Sequence, residues 1–542
     1  MKIKTLNLIL GGIAILAIAA LVAAGVLFMP PRGDQQPAAA IETFLTGNTY
    51  INDGTLSAVG DPFVFTDNGK YHMTSTGDRV SFKLWTSADL ANWEYTSLLY
   101  TLGQDGSWAT GNLWQPEILK KDDTYYMYYC ALNANNSLRI GLAVSDQLEG
   151  PYKDIKAAPL FDFGYAVIDP HVFIDDDGKI YLYYSRDNSE NVVNGVKTSQ
   201  IYVVPMDDLE TISAKEGTLV STPELEWEKL SGGDYQWNEG PDMLKHDGKY
   251  YLFYSVNYFN SRAYSIGYSI SDSPTGPFVK QEKPVLTSEY EQISGTGNNS
   301  FFHSLDGSEL FTAYHMHLDP LSGTGSRYLA VDRSGFREDG TFYINGPTKS
   351  PQPLPDKEKL VSLNAWVTAT ADKTLDGKES AALTDGEIGF YSWNEKYEWA
   401  GEKDAKITLT FEKPTQVSTL FLYGPSVASR RVNAVDITFD DGSTIDNVLI
   451  GKANGEAAIV DFDAKTVSRV TITAADAGSA EGFGLSEIGL YLKTAGSASD
   501  IGGLATNADY VTGGLYGKSN SAMFSTDETW FQKFLKSLGR EV

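Results

Sequence analysis

DGKYYLFYS, residues 247–255, is where the fold becomes readable: an Asp-Gly-Lys turn leads into residues that are almost all aromatic. The same phrase returns as NGKYHMTST at 68–76, DDTYYMYYC at 122–130, DGKIYLYYS at 177–185 and DGSELFTAYH at 306–315. Counted from the start of each strand, the copies begin at Tyr71, Tyr125, Ile180, Tyr250 and Leu310, at intervals of 54, 55, 70 and 60 residues. Each is followed by a second recurring element: LWTSADLANW (84–93), IGLAVSDQLEGPY (140–152), IYVVPMDDLE (201–210), IGYSISDSPTGPF (266–278) and YLAVDRSGF (328–336). Runs rich in β-branched and aromatic residues, bounded by turns, read as strands. Strand pairs repeated at this period read as blades of a β-propeller. Five copies predict an all-β, five-bladed domain over 51–355, with blades near 55–112, 113–166, 167–236, 237–294 and 295–350.

Outward from the repeats the texture changes. Beyond the Pro-rich SPQPLP (350–355), tyrosine pairs give way to Thr- and Val-rich strands such as ITLTFEKP, AVDITFDDG and VSRVTITA, which predict a β-sandwich over 360–492. Residues 493–542 read as a Gly/Ser/Ala/Thr-rich tail. It ends in a short amphipathic helix, with Ser525 and Glu528 as a capping box and Trp530, Phe531, Phe534, Leu535 and Leu538 on one face.

At the other end, Lys2 and Lys4 precede an uncharged run from Leu8 to Met29, long enough to span a bilayer. Residues 1–40 therefore read as a cleaved signal peptide or a retained signal-anchor helix, followed by a linker. Either way the remainder is expected outside the cell, secreted or tethered to its surface, with the membrane touched only through that helix. The 542 residues carry a net charge of 43 − 70 = −27, which argues against nucleic acid and suits a neutral partner such as a polysaccharide. Cys130 is the only cysteine, so no internal disulfide forms, and its place in a strand reads as a small buried residue. A monomer is expected.

Nine or ten residues before each of the first four strand starts stands a proline, in Asp61-Pro62, Gln115-Pro116, Asp169-Pro170 and Gly240-Pro241. Equivalent positions on the innermost strands of a propeller ring its axis. Asp61 and Asp169 take that position, and Glu239 stands one residue before it. An isolated Asp-Pro is an ordinary turn initiator, but two in register with Glu239 would bring three carboxylates into one cleft. Glycoside hydrolysis needs such a set: an acid to protonate the leaving oxygen and a carboxylate on the opposite face, with a third acid to raise the first one's pKa.

GDPFVF (60–65), LWQPEILKKDDTYYMYYC (113–130), AVIDPHVFIDDDGKIYLYYS (166–185), EGPDMLKHDGKYYLFYS (239–255) and SGTGNNSFFHS (294–304) resemble glycoside hydrolase family 43. The resemblance implies a five-bladed propeller that hydrolyses arabinofuranosyl or xylosyl linkages with inversion and without a cofactor. It implies Asp61 as general base, Asp169 as the residue that tunes pKa and orients substrate, and Glu239 as general acid. Trp114, Gln115, His171 and Arg327 are candidate substrate-binding residues; alternation from Asp169 puts His171 on the same strand face. One position departs: Asn298 stands in GTGNNS where the family's motif carries a histidine associated with a central metal. An asparagine oxygen can ligate calcium, so Asn298 is a weak candidate ligand for a structural Ca²⁺.

Residues 360–492 resemble a discoidin-type (coagulation factor 5/8 C-terminal-like) sandwich, through ALTDGEIGFYSW (382–393), ITLTFEKPTQVSTLFLYG (407–424) and GLSEIGLY (484–491). Trp393, Tyr397 and Trp399 are its candidate sugar-facing aromatics, with buried packing as the alternative for each. The alternatives to a pentosan-active hydrolase are an inactive glycan-binding propeller and a galactan- or fructan-active glycosidase. The fructan reading is weakened because Gly60-Asp61-Pro62 and Ile168-Asp169-Pro170 lack the Asn-Asp-Pro-Asn and Arg-Asp-Pro of those families.

Overall fold

The computed structural model describes residues 47–493 apart from 232, 289–292, 322–325 and 356–358. The apolar run 8–29 and the amphipathic segment 525–538 lie outside the described residues. Within them, no helix is long and apolar enough to cross a membrane.

The described residues are all-β with almost no helix. It enters through β1 (Thr49–Tyr50) and builds an antiparallel sheet from β2 (Gly60–Asp67), β3 (Lys70–Thr76), β4 (Ser81–Ser87) and β5 (Trp93–Thr101). A second sheet follows from β6 (Gly111–Lys121), β7 (Thr124–Leu132), β8 (Leu138–Ser145) and β9 (Lys153–Asp154). The third set is β10 (Val167–Ile174), β11 (Ile180–Arg186), β12 (Val192–Val193), β13 (Val196–Met206) and β14 (Thr218–Ser221). The fourth is β15 (Tyr235–His246), β16 (Lys249–Val256), β17 (Ser265–Ser271) and β18 (Val279–Lys280). The fifth is β19 (Gly297–His303), β20 (Leu310–His317), β21 (Arg327–Phe336) and β22 (Phe342–Ile344). Finally β23 (Gln352–Pro353) pairs antiparallel with β1.

Each repeat phrase forms the second strand of its set, and its aromatic density has a packing cause. In β16, Tyr251 and Phe253 face the apolar cluster shared with the fifth set, while Tyr250, Leu252 and Tyr254 face the cluster shared with the third. Successive side chains point to opposite faces, and both faces are buried, so both need large apolar groups. Five such clusters separate five sets. The remaining three lie between the first and second sets, the second and third, and the fifth and first. The first strands follow the same cyclic order, with β19 lying against β2.

One feature differs from five separate sheets. The start of β15 pairs parallel with the start of β13, Lys197–Ser199 against Tyr235–Trp237, and joins the third and fourth sets into one nine-stranded sheet. The interval here is the longest of the four, and the added chain lets β15 begin several residues before its inner segment.

The remaining strands are β24 (Leu360–Ser362), β25 (Val367–Ala371), β26 (Trp399–Gly401), β27 (Lys406–Tyr423), β28 (Ala434–Phe439), β29 (Thr444–Leu449), β30 (Ala457–Asp476), β31 (Phe483–Leu485) and β32 (Glu487–Lys493). Seven form one sheet, and β26 pairs with β31. The long strands β27 and β30 change register between Thr410 and Thr415 and again between Val417 and Thr419. Alternating Ile407, Leu409 and Phe411, then Leu420 and Leu422, enter one core with Trp399, Phe483 and Ile488.

Candidate active site

The five first strands share one irregularity. The ladder with the second strand breaks between Gly60 and Phe63, on both sides of Trp114 up to Glu117, between Ile168 and His171, between Glu239 and Asp242, and between Gly297 and Ser300. At equivalent positions within these breaks one residue of each set takes a left-handed backbone: Asp61 (φ 52°), Gln115 (φ 42°), Asp169 (φ 57°), Gly240 (φ 57°) and Asn298 (φ 52°); the second set, with two breaks, adds Asn112 (φ 51°) in the first of them. Bulges of this kind re-aim a side chain, and positive φ in non-glycine residues is uncommon enough to mark a functional constraint.

The aimed groups meet. Arg327 Nη1 donates to Asp61 Oδ1 at 2.8 Å. Asn298 Nδ2 donates to Asp61 Oδ1 at 3.1 Å and to Gln115 Oε1 at 3.0 Å. Gly60 has no room for a side chain, because a Cβ there would run into the Arg327 guanidinium. Asp169 Oδ2 accepts from the Gly240 N–H at 2.9 Å and the Ser185 hydroxyl at 3.0 Å. Burial, then the Asp61 charge, push its carboxyl up to about 7. Glu239 Oε1 accepts from the Tyr264 hydroxyl at 2.9 Å. Burial and then the Asp169 charge hold Glu239 well above the usual carboxylate range, against the opposing hydrogen bond from Tyr264. Desolvation disfavours the charged form and a neighbouring anion disfavours it further, so Glu239 keeps its proton where a solvated carboxylate would have lost it.

Asp61, Asp169, Glu239, Gln115, Asn298 and Arg327 are thus brought together. Trp114 stands beside Gln115, half-buried, with the Arg79 guanidinium 5.9 Å over its ring. His171 goes elsewhere. It is buried between sheets, with Nδ1 3.0 Å from Glu117 Oε2 and Nε2 accepting the Met243 N–H at 3.2 Å. The alternation that would have put it beside Asp169 is broken by the bulge between Ile168 and His171. Asn298 turns its amide nitrogen, not its oxygen, toward Asp61 and Gln115. That orientation does not suit a calcium ligand, and no cluster of three or more His, Cys, Asp or Glu suited to a metal occurs among the described residues.

Sequence reasoning missed the residues that hold this ring in place. The sixth residue of each strand copy, counted from its start, reaches the left-handed residue of the next set. Thr76 Oγ1 accepts the Gln115 N–H at 2.9 Å, Ser185 Oγ the Gly240 N–H at 3.2 Å and Ser255 Oγ the Asn298 N–H at 2.7 Å. His315 Nδ1 accepts the Asp61 N–H at 3.2 Å, and the Asp169 N–H lies against the Cys130 sulfur. The signal was present in the aligned copies as small polar residues at one shared position. Tyr264, the partner of Glu239, lies in the connection between β16 and β17 and carries no such signal. Its ring stacks on His315 at 5.5 Å.

The model of the glycosyl hydrolases family 43 matches residues 56–342. A domain of unknown function (DUF7402) matches residues 361–491. The chain is 27 % identical over 331 residues to the β-D-galactofuranosidase xynD of Aspergillus niger, covering 58 % of this chain and 90 % of that protein. It is 31 % identical over 229 residues to the xylosidase/arabinosidase 43A of Humicola insolens, covering 37 % of this chain and 68 % of that protein. The crystal structure of a thermostable family-43 glycoside hydrolase superposes with a TM-score of 0.55 at 42 % identity, covering 57 % of this chain and 99 % of that one.

Proposed function

The chain belongs to family 43 of the glycosyl hydrolases, and we propose that it is an exported, inverting glycosidase acting on arabinofuranosyl or xylosyl linkages of plant-type polysaccharides and their oligosaccharides. Family membership supports glycoside hydrolysis. The observation that carries the mechanism is a proton-holding Glu239 in the same ring as Asp61 paired with Arg327. Glu239 donates its proton to the leaving oxygen. Asp61 takes a proton from the water that attacks the anomeric carbon from the opposite face. Burial keeps Glu239 protonated, reinforced by the Asp169 charge once Asp169 ionises, and Asp169 orients substrate. Asn298 and Arg327 hold Asp61, Gln115 holds Asn298, and all three face the sugar, beside Trp114. No cofactor enters these steps.

The cyclic order of five strand sets supports five propeller blades within 51–355. The strands of 360–492 support a discoidin-like sandwich, with residues 1–40 as export segment or anchor and 493–542 as tail. A galactofuranosidase is the second reading, favoured by the Aspergillus niger relative matched over 90 % of its length. Hydrolysis of para-nitrophenyl α-L-arabinofuranoside, β-D-xyloside and β-D-galactofuranoside, with the anomer of the product followed by NMR, tests the proposal. A rate on either pentoside with inverted product, lost in Asp61→Asn, is expected. A rate on the galactofuranoside alone selects the second reading. A retained anomer removes the assigned roles, and inactivity on all three, together with oligosaccharide binding, favours a glycan-binding propeller.

A further inference from the structure

A row of aromatic rings leads away from the acid ring. The Arg327 guanidinium, paired with Asp61, lies 4.9 Å from the Phe259 ring. From Phe259 the centroid steps are 4.9 Å to Tyr258, 5.3 Å to Trp237 and 6.0 Å to Tyr235. Tyr258 is 40 % exposed and Tyr235 43 %. Trp237 and Phe259 between and beside them are partly buried, and a row of rings that comes to the surface at two tyrosines is the kind of apolar surface that marks a binding site. Trp237 stands two residues before Glu239 on β15, ahead of the bulge, so the two side chains leave the same face of the strand. The row therefore meets the ring through Arg327, which is paired with Asp61, and Trp237 shares a strand face with Glu239 two residues on.

The row is also held in place before any ligand arrives. His317 Nε2 donates to the Phe259 carbonyl at 2.6 Å, and its Nδ1 accepts from the Ser294 hydroxyl at 3.0 Å. The Tyr258 N–H donates to Ser231 Oγ at 2.7 Å. Asn257 Nδ2 donates to the Trp227 and Ala263 carbonyls, each at 2.9 Å. Tyr235 and Trp237 are fixed by the parallel pairing of β15 with β13. Preformed aromatic surface loses little entropy when a ligand settles on it.

We propose that Phe259, Tyr258, Trp237 and Tyr235 form an extended subsite for the leaving-group side of a linear pentosan chain, so that several sugars beyond the cleaved bond contribute to catalysis. This rests on the assignment of Glu239 as the acid, because the acid stands where the leaving group departs. Aromatic faces take the apolar faces of successive sugar rings. Binding energy collected far from the reacting bond then raises kcat/KM for chains over short substrates.

The test compares kcat/KM on arabino-oligosaccharides and on xylo-oligosaccharides of increasing length, each relative to the aryl glycoside the enzyme cleaves. It uses the full chain, Tyr235→Ala, Tyr258→Ala and Tyr258→Phe. The expected result is a rise with length in one of the two series. The rise for the longest substrates is cut about fivefold in each alanine variant and kept in Tyr258→Phe. No dependence on length in an enzyme that cleaves the aryl glycoside overturns the subsite and leaves the assigned function standing. Alanine variants with the full rise also overturn it. If no glycoside is cleaved, the functional reading fails separately, and calorimetric titration with the same oligosaccharides decides the row. Affinity that grows with length and falls in Tyr235→Ala supports it, and affinity independent of length overturns it. A dimer in sedimentation that Tyr235→Ala makes monomeric would assign the row to a second copy and overturn it as well.

Discussion

At the scale of single residues, the proposed chemistry rests on a carboxyl that keeps its proton. Glu239→Gln should reduce kcat by about 10²–10⁴-fold with the circular dichroism and melting temperature of the parent, since the amide matches the acid in size. Because the proposed acid must be protonated, activity should fall as pH rises through the raised pKa of Glu239, and this basic limb should disappear in Glu239→Gln; a pH–rate profile of each checks it. Asp169 carries a stability consequence of definite sign. Its folded-state pKa of about 7 lies above the ordinary 3.8, so the native state holds the proton more tightly than the unfolded chain. Wild-type stability should therefore fall as pH rises from about 4 to about 7. Asp169→Asn removes that loss. It should be more stable than the parent at pH 8 by on the order of 1–3 kcal/mol, with little difference at pH 4, and less active. Urea midpoints at the two pH values measure this. The three carboxylates were legible because prolines mark their register. The neighbour of Glu239 was not, because Tyr264 comes from a connection outside the repeat. His315 is a sharper case. It replaces the small polar residue of the other copies, and its Nε2 is buried with no hydrogen-bond partner among the described residues.

At the scale of elements, the unit that makes the site is the bulge at the start of each first strand. Gly240 is the one glycine among the five left-handed residues, and a Cβ there would sit 3.1 Å from Asn298 Oδ1. Gly240→Ala should cost about 1–2 kcal/mol through the left-handed backbone, more where Asn298 cannot yield; thermal unfolding reads it. The bulges also explain why alternation counted from Asp169 misplaced His171, whereas the shared proline register, which does not count across the break, brought Asp61 and Asp169 to equivalent positions. Each break advances the register by a residue, so faces deduced from one side do not carry to the other. The parallel contact of β13 with β15 was equally hidden, since Tyr235 and Trp237 show no period that distinguishes a strand extension from a loop.

At the scale of the whole molecule, the repeats gave the order of the sheets, and the change of texture after residue 355 marked where a second core begins. The contacts between the two parts were not legible, because single polar residues make them. Arg337 forms a two-point ion pair with Glu387, both nearly buried, and lies 3.9 Å from the Tyr397 ring; Tyr391 hydrogen-bonds the backbone of Thr287. Removing one partner strands a buried charge, so Glu387→Ala should cost about 3–5 kcal/mol. It should lower the melting temperature and split a single calorimetric transition in two. The pairing of β1 with β23 has a further consequence, which concerns time. Thr49 meets Pro353 and Tyr50 meets Gln352, so the ring shuts through residues made at opposite ends of its synthesis. Until β19 and β20 emerge, Val64, Met73 and Trp85 of the first sheet have no cover from Phe302, Phe311 and Ala313. Contacts this distant in sequence form slowly, which makes the first sheet to be synthesised the last to be sheltered, and a nascent chain halted before residue 297 a sticky one.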